Sequence, residues 1–269
     1  MSILLSVYWK EGIVYSADRN LTLHYETDVG ADQDVLVGAS TKVIPWPRKK
    51  AVVGFAGLGQ LAGMRMEEWI RQFVAKTRDH DDLDLMAHEL RDLLQVDFDY
   101  DYPMGTDVDR ARVIVHLGGF KECDGVVVPA MYLLTNMPDL LTRTDLYPYP
   151  PATRDLAVSD LIASHMPSYK VDYPSGVRDK LTQIVDRGDF WWVNHGVEYP
   201  TFNRFKTALW KVMQALEQQI LAGRPTIQDR ATFCEMAVRL YGLYFEQYYL
   251  PKRRMVGGGA DTEWIPWPD

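Results

Sequence analysis

Short, nearly continuous apolar runs dominate the first sixty positions, and runs of that length predict strands rather than helices. Ile3 to Trp9 is one such run; Glu11 and Gly12 turn the chain, and Ile13 to Ala17 is the next, so the two predict a β-hairpin. A polar excursion covers residues 20–38. Thr41 to Ile44 predicts a third short strand, and Ala51 to Ala56, beyond a turn over residues 45–50, a fourth. The period then changes: Leu61, Met64, Met66, Trp69, Ile70 and Phe73 recur at helical spacing between residues 60 and 77. A second helix is expected over residues 83–96, opened by Asp81 and Asp82, whose carboxylates suit a helix N-terminus.

Further strands are expected over residues 111–120 and 126–136, joined by a turn at Lys121–Gly125. Residues 138–188 differ in character, being rich in Pro, Asp and Tyr, with one helix near 157–165. A strand at 190–193, helices over 200–222 and 226–247, and a Gly-rich bend entering a final strand at 255–264 complete the order. Strands, two helices, strands, two helices and a strand form a segregated order, which predicts an α+β chain of antiparallel sheets. No repeat and no linker divides it. A single domain over residues 1–269 is expected, with an insertion at about 138–188.

One motif argues for a different fold. Gly57-Leu58-Gly59-Gln60-Leu61-Ala62 fits GxGxxA, follows a strand and opens a helix, as a dinucleotide-binding turn does. A dinucleotide fold needs a second parallel strand after that helix, ending in an acidic residue for the ribose. Here Asp81, Asp82 and Asp84 lead into another helix, so the motif is set aside and no cofactor is expected.

Composition narrows the function classes. The chain is 47% hydrophobic and 25% charged, which describes a folded globular protein. Its net charge of −8 gives no attraction for nucleic acid or an anionic membrane, so neither partner is expected. The two cysteines, Cys123 and Cys234, are far apart and form no CxxC, so no metal site and no disulfide framework is expected. The apolar start is cut short by Lys10 and Glu11 without a basic leader region, and the longest apolar stretch, residues 51–64, is too short for a bilayer. A soluble cytoplasmic protein is the expectation.

The candidate chemistry lies near the N-terminus. If Met1 is removed, Ser2 carries both a hydroxyl and an α-amine whose ordinary pKa of about 7.7–8.0 lets it accept the hydroxyl proton near neutral pH. Each feature also has an ordinary explanation. Serine after an initiator methionine is commonplace, Asp18-Arg19 fits a surface ion pair, Lys42 a solvated strand residue and Gly57 a strand end.

Taken in order, three segments resemble the proteasome β-subunit family of N-terminal-nucleophile (Ntn) hydrolases, which includes the bacterial HslV and Anbu types. They are Tyr15 to Arg19, with Asp18 sixteen positions beyond Ser2, then Ser40 to Ile44 with its Lys42, then Val53 to Gly57. Met131 to Leu134 and Val256 to Gly259 extend the resemblance over nearly the whole chain, apart from two insertions.

The resemblance implies a four-layer αββα sandwich of two antiparallel sheets flanked by helix pairs. It implies Ser2 as nucleophile, Lys42 beside it, Asp18 holding Lys42 charged and aimed, and the Gly57 N–H donating to the oxyanion. It also implies a peptide or amide substrate, a homo-oligomeric ring and an unfoldase partner. The chain departs from the family at two points. Serine stands where the family has threonine, and the family's supporting Ser–Asp–Ser group is not preserved: His195, Arg253 and Val256 fall near its positions. His195 there would assist proton transfer or shape the pocket. These departures leave two alternatives open, a non-catalytic ring-forming scaffold and a hydrolase of small amides.

Overall fold

The computed structural model describes residues 2–26, 32–46, 51–77, 82–123, 125–143, 149–165, 179, 191–196, 199–220, 224–244 and 257–268. Met1, Asp81, Arg253 and Val256 lie outside the described residues, as does most of the expected insertion.

Two antiparallel sheets organise the chain. The first joins β1 (Ile3–Trp9), β2 (Gly12–Asp18), β12 (Trp191–Gly196) and β13 (Ala260–Pro266) in the order β12-β1-β2-β13. The second runs β11-β10-β9-β6-β5, from β5 (Val43–Pro45), β6 (Ala51–Gly57), β9 (Val113–Cys123), β10 (Val126–Thr135) and β11 (Ala157–Asp160). Every residue of β1 and β2 is buried, which is why both read in sequence as nearly continuous apolar runs rather than alternating ones.

Five α-helices lie among the described residues: α1 (Met66–Lys76), α2 (Leu83–Asp101), the short α3 (Leu161–His165), α4 (Tyr199–Ile220) and α5 (Ile227–Tyr244). They sort the core into three clusters. Ile70, Phe73, Leu90 and Leu94 of α1 and α2 pack on Val53, Phe55, Val115 and Leu117 of the five-stranded sheet. Leu4, Tyr8 and Tyr15 of the four-stranded sheet meet Val52, Ile114 and Leu133 of the five-stranded one. Ile3, Leu5, Val7 and Trp9, on the other face of β1, pack on Trp210 of α4 and Phe233 of α5. Burying one such large side chain contributes about 1.5–3 kcal/mol, so the alternation of β1 between two clusters fixes its register as well as its place.

Four expectations change in detail. The polar excursion is a hairpin of β3 (Asn20–Glu26) and β4 (Asp32–Ala39), with a register shift between Leu21 and Thr22. The helix expected from residue 60 starts only at Met66. Ala62 (φ 52°) and Gly63 (φ 70°) first turn a small hairpin, β7 (Gln60–Leu61) and β8 (Met64–Arg65), which helical spacing cannot distinguish from a first helical turn. The helix expected at 157–165 is a strand followed by a helix: residues 157–160 pair with Tyr132–Thr135, and Asp160 then accepts from the Ala163 N–H at 3.0 Å. α2 runs further than expected, to Asp101; Asp82 caps its start, accepting from the N–H groups of Asp84 (2.8 Å) and Leu85 (3.2 Å).

The GxGxxA segment sits in an antiparallel frame. β6, which ends at its first glycine, lies between β5 and β9, both antiparallel to it, and α1 is followed by α2 rather than by a strand.

Candidate active site

The β1–β2 register pairs Leu4 with Ala17, which brings Asp18 beside Ile3 at the mouth of the hairpin. There the Ile3 N–H donates to Asp18 Oδ1 at 2.7 Å, and Ser2, partly exposed, continues β1 outward. Lys42 enters from the segment that precedes β5, anchored by the Phe55 N–H, which donates to its carbonyl at 3.0 Å. Its ammonium has three N–H bonds and meets three oxygens: Ser2 Oγ at 3.0 Å, Asp18 Oδ1 at 3.0 Å and the Asn20 carbonyl at 2.6 Å. Lys42 and Asp18 are both buried, with side chains 2% and 0% exposed, so this is an ion pair in a low-dielectric setting with its hydrogen bonds satisfied.

A glycine-rich turn closes the site from behind. Gly257 donates to Asp18 Oδ2 at 3.4 Å, and its carbonyl accepts from the N–H groups of Arg19 (3.0 Å) and Asn20 (3.1 Å). Gly258 has φ +70°, and a side chain there would run into Asn20 Oδ1, the residue whose carbonyl holds Lys42. The turn therefore fixes both acceptors on the inner side of the lysine.

Gly57 lies at the exposed end of β6, with φ +88°, and a β-carbon would collide with the Arg112 carbonyl. Next to it, Leu58 N–H donates to Arg112 O at 2.8 Å, toward β9, and Phe55 N–H, two residues before it, donates to the Lys42 carbonyl. The structure thus joins Ser2, Asp18 and Lys42 in one hydrogen-bonded cluster, with Gly57 at the end of the strand whose Phe55 anchors Lys42. Burial pattern and sequence spacing carried no sign of Asn20 O or Gly257. Both act through backbone atoms, which leave no residue-type signature.

His195 is placed differently. It faces the core between the sheets, paired across from Leu4, and its Nδ1 lies 2.6 Å from His116 Nε2. His116 Nδ1 in turn lies 2.8 Å from Ser6 Oγ, so the three form a buried chain, and His195 Nε2 at its end has no hydrogen-bond partner. Burial pushes both imidazoles down, His195 to about 3 and His116 well below its ordinary value, where the neighbouring His195 adds to the effect. Both rings are neutral at physiological pH. Among the described residues no hydrogen bond joins this chain to the Ser2 cluster. His116 was detectable in sequence as a polar residue inside an apolar strand, while its partners lie 110 and 79 positions away.

Among the described residues no group of three or more His, Cys, Asp and Glu is placed to hold a metal ion, and no helix is long and apolar enough to cross a membrane. Cys123 and Cys234 are both free thiols.

No protein-family model matches the chain, and no curated protein does. Among solved structures, the chain is similar to Anbu (ancestral beta-subunit) from Yersinia bercovieri. The likeness has 10% sequence identity and a TM-score of 0.44, and covers 98% of this chain and 81% of that one.

Proposed function

We propose that the chain is an Ntn hydrolase of the proteasome type, with Ser2 as nucleophile once Met1 has been removed. The observation that carries this reading is the approach of Lys42 Nζ to Ser2 Oγ at 3.0 Å with Asp18 held behind the lysine. A surface lysine gains nothing from such burial. A lysine that stabilises a developing alkoxide needs it.

In the proposed reaction the Ser2 α-amine takes the hydroxyl proton while Oγ attacks the carbonyl carbon of a peptide or amide. The Lys42 charge, 3.0 Å away, favours the alkoxide as it develops. The tetrahedral oxyanion faces the Gly57 N–H, a donor whose loss costs about 3–4 kcal/mol in related oxyanion holes. Collapse breaks the C–N bond, the leaving amine takes the proton from the α-amine, and an ester on Ser2 remains. Water, deprotonated by the same amine, hydrolyses the ester and restores the hydroxyl. No cofactor takes part.

The finer architecture belongs to the same proposal. The three core clusters support a four-layer αββα sandwich over a single domain, with the segment around 138–188 inserted into it. By resemblance we extend the proposal to a cytoplasmic homo-oligomeric ring that receives peptide substrate from an unfoldase.

The test is intact mass spectrometry of the mature chain with and without an electrophilic β-lactone or epoxyketone. Loss of Met1 and a single adduct that disappears in Ser2→Ala are expected. A retained methionine refutes the nucleophile. A second reading, a ring subunit without turnover, is favoured by the placement of His195 in a separate buried chain, away from any supporting role at Ser2. It predicts ring assembly together with indifference of every activity to Ser2→Ala.

A further inference from the structure

Lys42 and Gly57 come from different parts of the chain, and catalysis as proposed needs them at a fixed separation around one carbonyl. Lys42 belongs to a short irregular segment, residues 40–42, between β4 and β5. The segment has few anchors of its own. The Ser40 N–H donates to the Arg19 carbonyl at 2.9 Å, and the Lys42 carbonyl accepts from Phe55 at 3.0 Å. Between them the Thr41 N–H donates to Glu67 Oε2 at 2.8 Å, and the Ser40 hydroxyl reaches the same oxygen at 3.2 Å.

Glu67 is the second residue of α1, a helix seated in the core by Met66, Trp69, Ile70, Phe73 and Val74. The start of that helix is tied to the other half of the site, because the Met66 N–H donates to the Gly59 carbonyl at 3.0 Å, two residues beyond Gly57. The two carboxylate oxygens divide their tasks. Oε1 accepts from Arg71 Nε (3.2 Å) and from its terminal nitrogen (3.1 Å), one helical turn on, which fixes the side chain and leaves Oε2 for the segment. Burial pushes the Glu67 carboxyl up, but the Thr41 N–H, Arg71 and the Ser40 hydroxyl outweigh it and hold the group below its ordinary value, as an anion.

We infer that Glu67 is a positioning residue of the Ser2 site: through a rigid helix it sets the Lys42 segment relative to the Gly57 strand end. The inference rests on the reading of Ser2 as nucleophile and adds to it a residue that touches neither substrate nor the reacting atoms. Reactions of this kind are sensitive to such a link, since a displacement of about 1 Å from productive geometry can cost on the order of 100-fold in rate.

The experiment compares wild type, Glu67→Ala, Glu67→Gln and Arg71→Ala as full chains. Two readouts are taken: hydrogen exchange of the peptide covering residues 40–43, and the rate and pH dependence of Ser2 labelling by a β-lactone. Glu67→Ala is expected to speed exchange at Thr41, to slow labelling by about 10-fold or more, and to move the pH midpoint of labelling as Lys42 shifts. Glu67→Gln, which keeps an acceptor for the Thr41 N–H, is expected to recover most of both. Arg71→Ala, which keeps Oε2 in place, should change both less than Glu67→Ala does. Faster exchange with unchanged labelling reduces Glu67 to a structural contact and overturns the inference, as does unchanged exchange in Glu67→Ala. A wild type that resists the electrophile while its exchange still responds to Glu67→Ala refutes the Ser2 reading instead, which separates the two failures.

Discussion

Replacing Lys42 with methionine keeps the length of the side chain and removes its charge. Asp18 then stays at 0% side-chain exposure with the Ile3 and Gly257 N–H groups as its remaining partners. Stranding one member of a buried ion pair costs about 3–5 kcal/mol, and for a chain of this size about 2–4 °C of melting temperature accompanies each kcal/mol. The backbone donors retained by Asp18 place the expected loss toward the lower end, near 3 kcal/mol. The partner change, Asp18→Asn, leaves the Lys42 ammonium buried against Ser2 and the Asn20 carbonyl and is expected to cost a similar amount. The double variant removes both charges, so its loss should fall well short of the sum, with a coupling of about 1–3 kcal/mol. The assay is urea unfolding of wild type, the two single variants and the double variant. Additive losses, or a Lys42→Met cost below about 1 kcal/mol, would show that the pair behaves as an exposed one and would remove the physical basis for the aimed lysine.

Other outcomes follow from the same geometry. Gly57→Ala forces a β-carbon against the Arg112 carbonyl at φ +88° and is expected both to destabilise the chain and to slow Ser2 labelling by on the order of 100-fold as the donor is displaced; unchanged labelling kinetics would exclude this N–H as the oxyanion donor. Gly258→Ala should slow labelling through Asn20, which its side chain would push, and a crystal structure should show the Lys42–Asn20 contact lengthened from 2.6 Å. His116 and His195 have folded-state pKa values below the ordinary 6.5, so the stability they contribute is complete above about pH 6.5. It is lost as pH falls from there toward about 3, the folded value of His195. Each neutral histidine steepens the loss by up to about 1.4 kcal/mol per pH unit; urea midpoints of wild type and His195→Phe between pH 7 and 5 measure it, and parallel curves would refute it.

The parts of the fold that were legible in sequence are those where burial dictates residue type. β1, β2, β9 and β10 announce themselves because their apolar runs face packed layers on both sides, and turns at Gly12 and Gly125 separate them. The β3–β4 hairpin was hidden because its outer residues meet solvent: Leu36 and Val37 are about two-fifths exposed, and β4 opens on the polar run Asp32, Gln33 and Asp34. β7 and β8 were hidden by coincidence of spacing, since Leu61 and Met64 satisfy a helical period equally well. In the site, Ser2, Asp18 and Lys42 were named through the family resemblance, and each brings a side-chain group that joins the hydrogen-bonded cluster. The roles of Asn20 and Gly257 could not be picked out, because any residue supplies a carbonyl or an amide, and Glu67 looked like any acidic residue inside the helix expected over residues 60–77.

Gly257 has a consequence for timing. Its amide reaches Asp18 across 239 positions of sequence, and β13, which follows it, borders β2. At about 5–20 residues per second, synthesis takes on the order of ten to fifty seconds to make the intervening chain. Throughout that interval the N-terminal hairpin exists without the turn that secures its carboxylate. A nascent chain therefore carries its serine and its lysine with this anchor still unmade until residue 257 has been synthesised.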